Sequence, residues 1–188
     1  MNDLAEQRSL ESLARGIRRC RKCRLHRSRS HAVPGEGPSD APIMLVGEGP
    51  GEKEDAVGRP FVGRSGRFID DVFDELGMDR ESLFITSAVK CRPPGNRNPR
   101  QDEIETCRDA WLWRQIDRVQ PGVIVLSGKT AIRCLLGEDL KLRDVHGQVR
   151  EHDGWRFLLT CHPTAAMRFP DSEKQFRSDL AKLDSMQI

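Results

Sequence analysis

Glu48 lies in the run Gly47-Glu48-Gly49-Pro50-Gly51-Glu52-Lys53-Glu54-Asp55, and Gly58-Arg59-Pro60-Phe61-Val62-Gly63 follows it. A carboxylate among glycines, which let a ligand come close, suits a positive charge developing on a sugar carbon or a water that must be oriented. A solvated acidic turn would account for Glu52 and Asp55, but not for an apolar Phe61 within a Gly/Pro-rich loop. Ser87, in Thr86-Ser87, and His162, in Cys161-His162-Pro163-Thr164, are the other polar groups to place. A histidine taken alone is more often a satisfied structural residue than a catalyst, so the case for His162 depends on where its strand ends.

Cysteine spacing raises a second kind of chemistry. Cys20-x-x-Cys23 is followed by Cys91 and, fifteen intervening residues later, by Cys107. Such a set suits a four-thiolate metal site, and spacing alone does not choose zinc over iron–sulfur. The stretch from Arg15 to Arg29 carries eight Lys/Arg and no acid. Its arginines are expected to favour thiolates at Cys20 and Cys23. Such a cluster points to polyanions, or to a solvated helix face. Cys134 and Cys161 read as small core residues.

Two phosphate-binding readings fail on spacing. The Glu48 loop lacks the G-x-G-x-x-G order, Pro50 removes a donor, and Glu52, Glu54 and Asp55 would repel pyrophosphate. Ser127-Gly128-Lys129-Thr130 lacks a phosphate loop's first glycine, because Val123 stands there. The helix N-terminus at Lys129 still suits one backbone phosphate.

The elements that must position these groups follow from periodicity. Ala41–Val46, Ser82–Lys90, Val123–Leu126, Val145–Arg150 and Arg156–Thr160 read as strands, the last two joined at Asp153-Gly154. Helices are expected over residues 1–19, from Ser65 to Leu76, from a cap at Asn98 with Pro99 first, after Gly128, and through Phe176, Leu180 and Leu183. Residues 47–63 and 165–169 read as loops. Alternation of strand and helix predicts a three-layer α/β/α sandwich with a central, mainly parallel four-stranded sheet. Glu48, Ser87 and His162 then stand at the carboxyl ends of three strands, the edge where open α/β sheets bind ligands.

With 188 residues, a net charge of +2 and no run of eighteen apolar residues, a single cytoplasmic domain spanning residues 1–188 is expected, with no membrane contact. Six cysteines in a reducing compartment are not expected to form disulfides.

The Gly47–Gly63 motif, Lys90-Cys91-Arg92-Pro93-Pro94-Gly95-Asn96-Arg97-Asn98-Pro99, and His162-Pro163-Thr164 with Met167-Arg168 together resemble the family-four uracil-DNA glycosylases. The resemblance runs from Cys20 to Phe169. It implies hydrolysis of the N-glycosidic bond of uracil in DNA by a monofunctional enzyme that flips the base out of the duplex. It implies a [4Fe–4S] cluster on Cys20, Cys23, Cys91 and Cys107, with structural zinc as the alternative. Glu48 and His162 match the catalytic pair, Phe61 the residue on which the base stacks, and Gly47, Gly49, Ser87 and Asn96 the base pocket. Arg64, Lys129, Met167 and Arg168 match DNA contacts. The enzyme is expected to be a monomer, with replication or repair proteins as further partners. One residue departs: many members carry asparagine where Ser87 stands. That leaves a broader base range, hypoxanthine or xanthine included, or a catalytically weak or inactive nucleic-acid-binding iron–sulfur module as alternatives.

Overall fold

The computed structural model describes residues 9–186. Five strands form one sheet in the order β2-β1-β3-β5-β4. β1 (Ile43–Gly47) pairs in parallel with β2 (Phe84–Ser87) and β3 (Val123–Ser127), and β3 pairs in parallel with β5 (Trp155–Thr160). β4 (Val149–His152) adds an antiparallel edge. Four parallel strands carry the expected frame, and the hairpin arm makes the fifth. Its turn, Asp153-Gly154, has positive φ at both residues, 48° and 81°, the geometry a two-residue hairpin loop requires.

The parallel strands are apolar on both faces because helices cover both. Met44 and Val46, Ile124 and Leu126, Phe157 and Leu159 face one core with α1 (Leu10–Arg18) and α6 (Lys129–Leu136). Leu45, Val123, Val125 and Leu158 face the other, against α3 (Arg64–Glu75) and α9 (Pro170–Ser185). α4 (Gln101–Cys107), a π-helical stretch (Arg108–Leu112) and α5 (Trp113–Val119) run on without a break over the first core. Among the described residues no helix is long and apolar enough to cross a membrane.

Several sequence expectations shift. Of the helix expected over 1–19, residues 1–8 lie outside the described part, and α1 begins after Ser9, whose Oγ accepts from Ser12 N–H. The acidic loop contains a helix, α2 (Glu52–Val57), whose first turn places Glu52, Glu54 and Asp55 at the positive end of the helix dipole. The strand expected over 82–90 is only Phe84–Ser87, with a 3-10 turn over Arg80–Ser82. Asn98 and Pro99 do not open a helix. The buried carboxylate of Glu103 accepts from Arg100 N–H at 2.8 Å, so α4 begins at Gln101. Val145 closes a short helix, α7 (Leu142–Val145), and is not a strand residue. Pro163–Ala166 is a helical turn, α8, that takes the first two residues of the loop expected over 165–169.

Candidate active site and thiol centre

A cleft of about 520 Å³ opens at the carboxyl edge of the sheet, lined among others by Glu48, Phe61, Ser87, Asn96 and His162. The topology explains this meeting. β1 ends at Gly47, β2 at Ser87 and β5 at Thr160, all at one edge, so the residues that follow share one mouth. Gly49 and Arg64 also line it. Lys129 does not: it is exposed at the start of α6 and lines a separate hollow with Lys141 and Arg143. Met167 and Phe169 project outward, 37% and 53% exposed, and the Arg168 guanidinium lies 5.5 Å from the Phe169 ring centre.

Glu48 is held from the side. Thr130, the second residue of α6, donates its hydroxyl to Glu48 Oε2 at 2.5 Å. His162 is oriented by its own turn: Thr164 N–H donates to Nδ1 at 3.2 Å. In the neutral ring the proton must therefore sit on Nε2, leaving an N–H donor for a ligand. Burial pushes the His162 pKa below the usual histidine range, and the Glu48 carboxylate opposes this only in part.

Phe61 is held under constraint. Its φ is 49°, an uncommon value for a bulky residue. Its ring covers Gly47, where a Cβ would stand 2.5 Å from Cζ, and its carbonyl abuts Gly66, where a Cβ would stand 1.7 Å from the oxygen. Glu54 supports the turn: Oε1 accepts from Val62 N–H at 2.9 Å and from Gly63 N–H at 2.7 Å. Behind it, Arg80 donates to Pro60 O at 2.9 Å and to Glu36, which Arg59 also grips. Asn96 Oδ1 accepts from Arg92 Nε–H at 2.7 Å, so its NH₂ is left for the cleft.

The four cysteines that match the metal set share one core region. Among the described residues, no three metal-ligating side chains are arranged as a single-ion cage. The donor set nevertheless suits sulfur anions. Arg29 Nη1 donates to Cys91 Sγ at 2.8 Å, Trp111 Nε1–H to Cys20 Sγ at 3.2 Å, and Lys90 N–H to Cys107 Sγ at 3.3 Å. N–H groups aimed at sulfur are the means by which proteins hold and tune thiolate-bound iron. The expectation that neighbouring arginines favour thiolates is corrected at Cys23. Burial raises its pKa, and Arg29 only partly offsets that. Burial likewise raises Cys91 and pushes Cys107 up to about 12.

Sequence reasoning missed the residues that hold the site in place. Thr130, Glu54 and Asp55 are among them; the buried Asp55 carboxylate accepts from Ser30 N–H and so ties the Arg29 segment to α2. Each stood in a motif without a supporting role: Glu54 and Asp55 in the glycine-rich run, read as acids that would repel pyrophosphate, and Thr130 as the last residue of the discarded phosphate-loop match.

An acid, a neutral imidazole donor and a constrained aromatic ring over one cleft, at the carboxyl edge of a parallel sheet, define an α/β protein built to hold a planar ligand beside a polar reaction centre. The profile of the uracil DNA glycosylase superfamily matches residues 34–184, and the chain belongs to that superfamily. It is 37% identical over 186 residues to a type-4 uracil-DNA glycosylase of Archaeoglobus fulgidus, covering 95% of this chain and 93% of that one. It is 40% identical over 185 residues to the type-4 enzyme of Saccharolobus solfataricus, covering 93% and 85%, and 40% over 189 residues to that of Sulfurisphaera tokodaii, covering 96% and 86%.

Proposed function

We propose that this chain is a monofunctional uracil-DNA glycosylase that begins base excision repair. The observation that carries this reading is the meeting of Glu48, Phe61 and His162 around one cleft. A flipped base stacks on Phe61. As the bond from C1′ to the base breaks, its electron pair moves onto the base, and positive charge grows on the sugar. The Glu48 carboxylate, held by Thr130, stabilises that charge and orients the water that adds to C1′. His162 donates Nε2–H to an oxygen of the departing base, and the imidazole can remain neutral because burial already favours that form. The base leaves as an anion and takes up a proton. Arg64 at the cleft, and Lys129, Met167 and Arg168 outside it, are assigned to the DNA strands flanking the flipped nucleotide.

Cys20, Cys23, Cys91 and Cys107 are assigned to a [4Fe–4S] cluster, which would tie the basic segment to the sheet. The three N–H donors aimed at their sulfurs support this. As-purified protein should be brown with broad absorption near 400 nm; a colourless protein containing zinc would overturn the iron assignment.

The test of function is base release from oligonucleotides, single- and double-stranded, carrying uracil or hypoxanthine. Uracil release is expected. Release of neither base from cluster-loaded protein would favour a binding module instead. Ser87 is 5% exposed at the cleft. Its hydroxyl can donate or accept at either base edge, whereas an asparagine amide offers a fixed donor and acceptor together. Ser87→Asn is therefore expected to raise the ratio of uracil to hypoxanthine release. An unchanged ratio would show that position 87 does not touch the base.

A further inference from the structure

The basic stretch from Arg15 to Arg29 has no part in the base-release step, yet the fold makes a wall of it. A hollow of about 740 Å³ is lined by Arg18, Arg21, Arg29 and Arg59 with His26 and His31. No aspartate or glutamate is among the described residues that line it. Two of these arginines are committed to the protein. Arg29 donates to the Arg18 and Cys20 carbonyls at 3.0 and 2.9 Å and to Cys91 Sγ, and Arg59 grips Glu36. Arg18 and Arg21 are exposed, and among the described residues their guanidinium groups have neither an ion-pair nor a hydrogen-bond partner. A hollow lined by one sign of charge focuses its field and draws counter-ions. Its wall is set in advance: the Asp55 carboxylate accepts from Ser30 N–H at 3.0 Å and from His31 N–H at 3.4 Å, which fixes the segment to α2.

α2 also sets the distance to the cleft. Glu52, Lys53 and Glu54 at its start line the cleft, and Val57 at its end lines the hollow with Gly58. Six helical residues span about 9 Å. A DNA strand advances about 3.4 Å per nucleotide, so the two sites stand about three nucleotides apart. The acid between them, Glu52, is faced by Arg92 at 3.9 Å.

We propose that this hollow is a backbone-phosphate site for the strand that carries the flipped nucleotide, about three nucleotides from it, with Arg18 and Arg21 as the groups that hold the phosphate. This rests on the reading of the chain as a DNA glycosylase. Guanidinium groups suit the role because they stay charged and present a fork of N–H donors to phosphate oxygens. The site makes affinity depend on intact backbone beyond the damaged nucleotide, on one side of it.

The experiment measures Kd for a duplex carrying a stable abasic analogue, across a salt series, and repeats it with single neutral methylphosphonates placed along that strand. Arg18→Gln/Arg21→Gln should lower the slope of log Kd against log salt by about 1 to 2, and Arg18→Lys/Arg21→Lys should keep it. In wild type, a methylphosphonate about two to four nucleotides from the abasic site should weaken binding, and the same replacement should cost the uncharged double variant nothing. Equal slopes in wild type and the uncharged variant would overturn the proposal. So would a methylphosphonate penalty that is the same in both proteins at every position, or one that differs only at the phosphates adjoining the abasic site, which belong to the cleft. If the uncharged variant does not fold, the scan on wild type decides, and no penalty at two to four nucleotides would overturn the proposal. Wild-type protein that releases no base would instead remove the glycosylase reading, a failure seen before any variant is made.

Discussion

His162→Ala is expected to lower kcat by about 100- to 1,000-fold, the usual loss when one donor to a developing anion is removed. KM for a uracil-containing oligonucleotide should change far less, because stacking on Phe61 and contacts to the DNA backbone remain. The geometry gives the reason. Thr164 N–H occupies Nδ1, so the ring offers Nε2–H without having to choose between tautomers. The same arrangement sets a pH dependence. The His162 pKa lies below its ordinary value of 6.5. Between that lowered value and about 6.5 the unfolded chain binds the proton more readily than the folded one. The stability from neutral His162 is therefore present above about pH 6.5 and is lost as pH falls through the folded value. The acid limb of kcat should lie in that same lower range in wild type and be absent from His162→Ala. A kcat reduced less than tenfold would remove His162 from the reaction.

The second large effect belongs to a residue with no polar atom in its side chain. Gly66→Ala would place a methyl group 1.7 Å from the Phe61 carbonyl oxygen and 2.3 Å from its carbon. Both are backbone atoms, so the Phe61 peptide must move. Phe61 already holds a φ of 49°, and Glu54 and Arg80 fix the backbone on either side of it. The ring cannot keep its place over Gly47 once its peptide shifts. Stacking of a base on an aromatic side chain contributes about 1–3 kcal/mol, so KM should rise by roughly 10- to 100-fold. Overpacking should also cost about 1–3 kcal/mol of stability. Gly77→Ala is the control. Gly77 has a φ of 66° with nothing within 4 Å of its added methyl, so it should lose stability and keep KM. An unchanged KM in Gly66→Ala would show that the Phe61 ring does not carry the base.

Where a signal was periodic or terminal, the sequence was legible. The apolar runs became β1, β2, β3 and β5, and the carboxyl ends of β1, β2 and β5 brought Glu48, Ser87 and His162 to one cleft. The asparagine cap was misplaced because a capping side chain at Asn98 competes with Glu103. Glu103 is fully buried and gripped by Arg97 at 2.7 and 2.9 Å, which settles where α4 begins. α2 was hidden because six helical residues between glycines show no periodicity, and its stability comes from the dipole and from Asp55 reaching across to Ser30. Lys90 was unreadable for a different reason. A lysine near a strand end ordinarily points to solvent, and only its burial and the bonds of its Nζ to Thr86 Oγ1 and the Ser87 carbonyl show otherwise. Lys129 marks the opposite error, a charge at a suitable helix start whose side chain lies outside the cleft.

The π-helical stretch Arg108–Leu112 has a consequence for comparing chains. A π turn is an α-helix with one residue inserted, so each residue beyond it is rotated by about 100° from its α-helical position. Cys107 lies just before the insertion, and Trp111, whose indole reaches Cys20, lies within it. Deleting one residue between them would swing the indole off the sulfur while leaving the apolar face of α4 where it is. A relative that has dispensed with the thiol centre has no need of that extra residue. Its alignment with this chain should then show a one-position gap within 108–112, legible as ancestry where the cysteines themselves have been replaced.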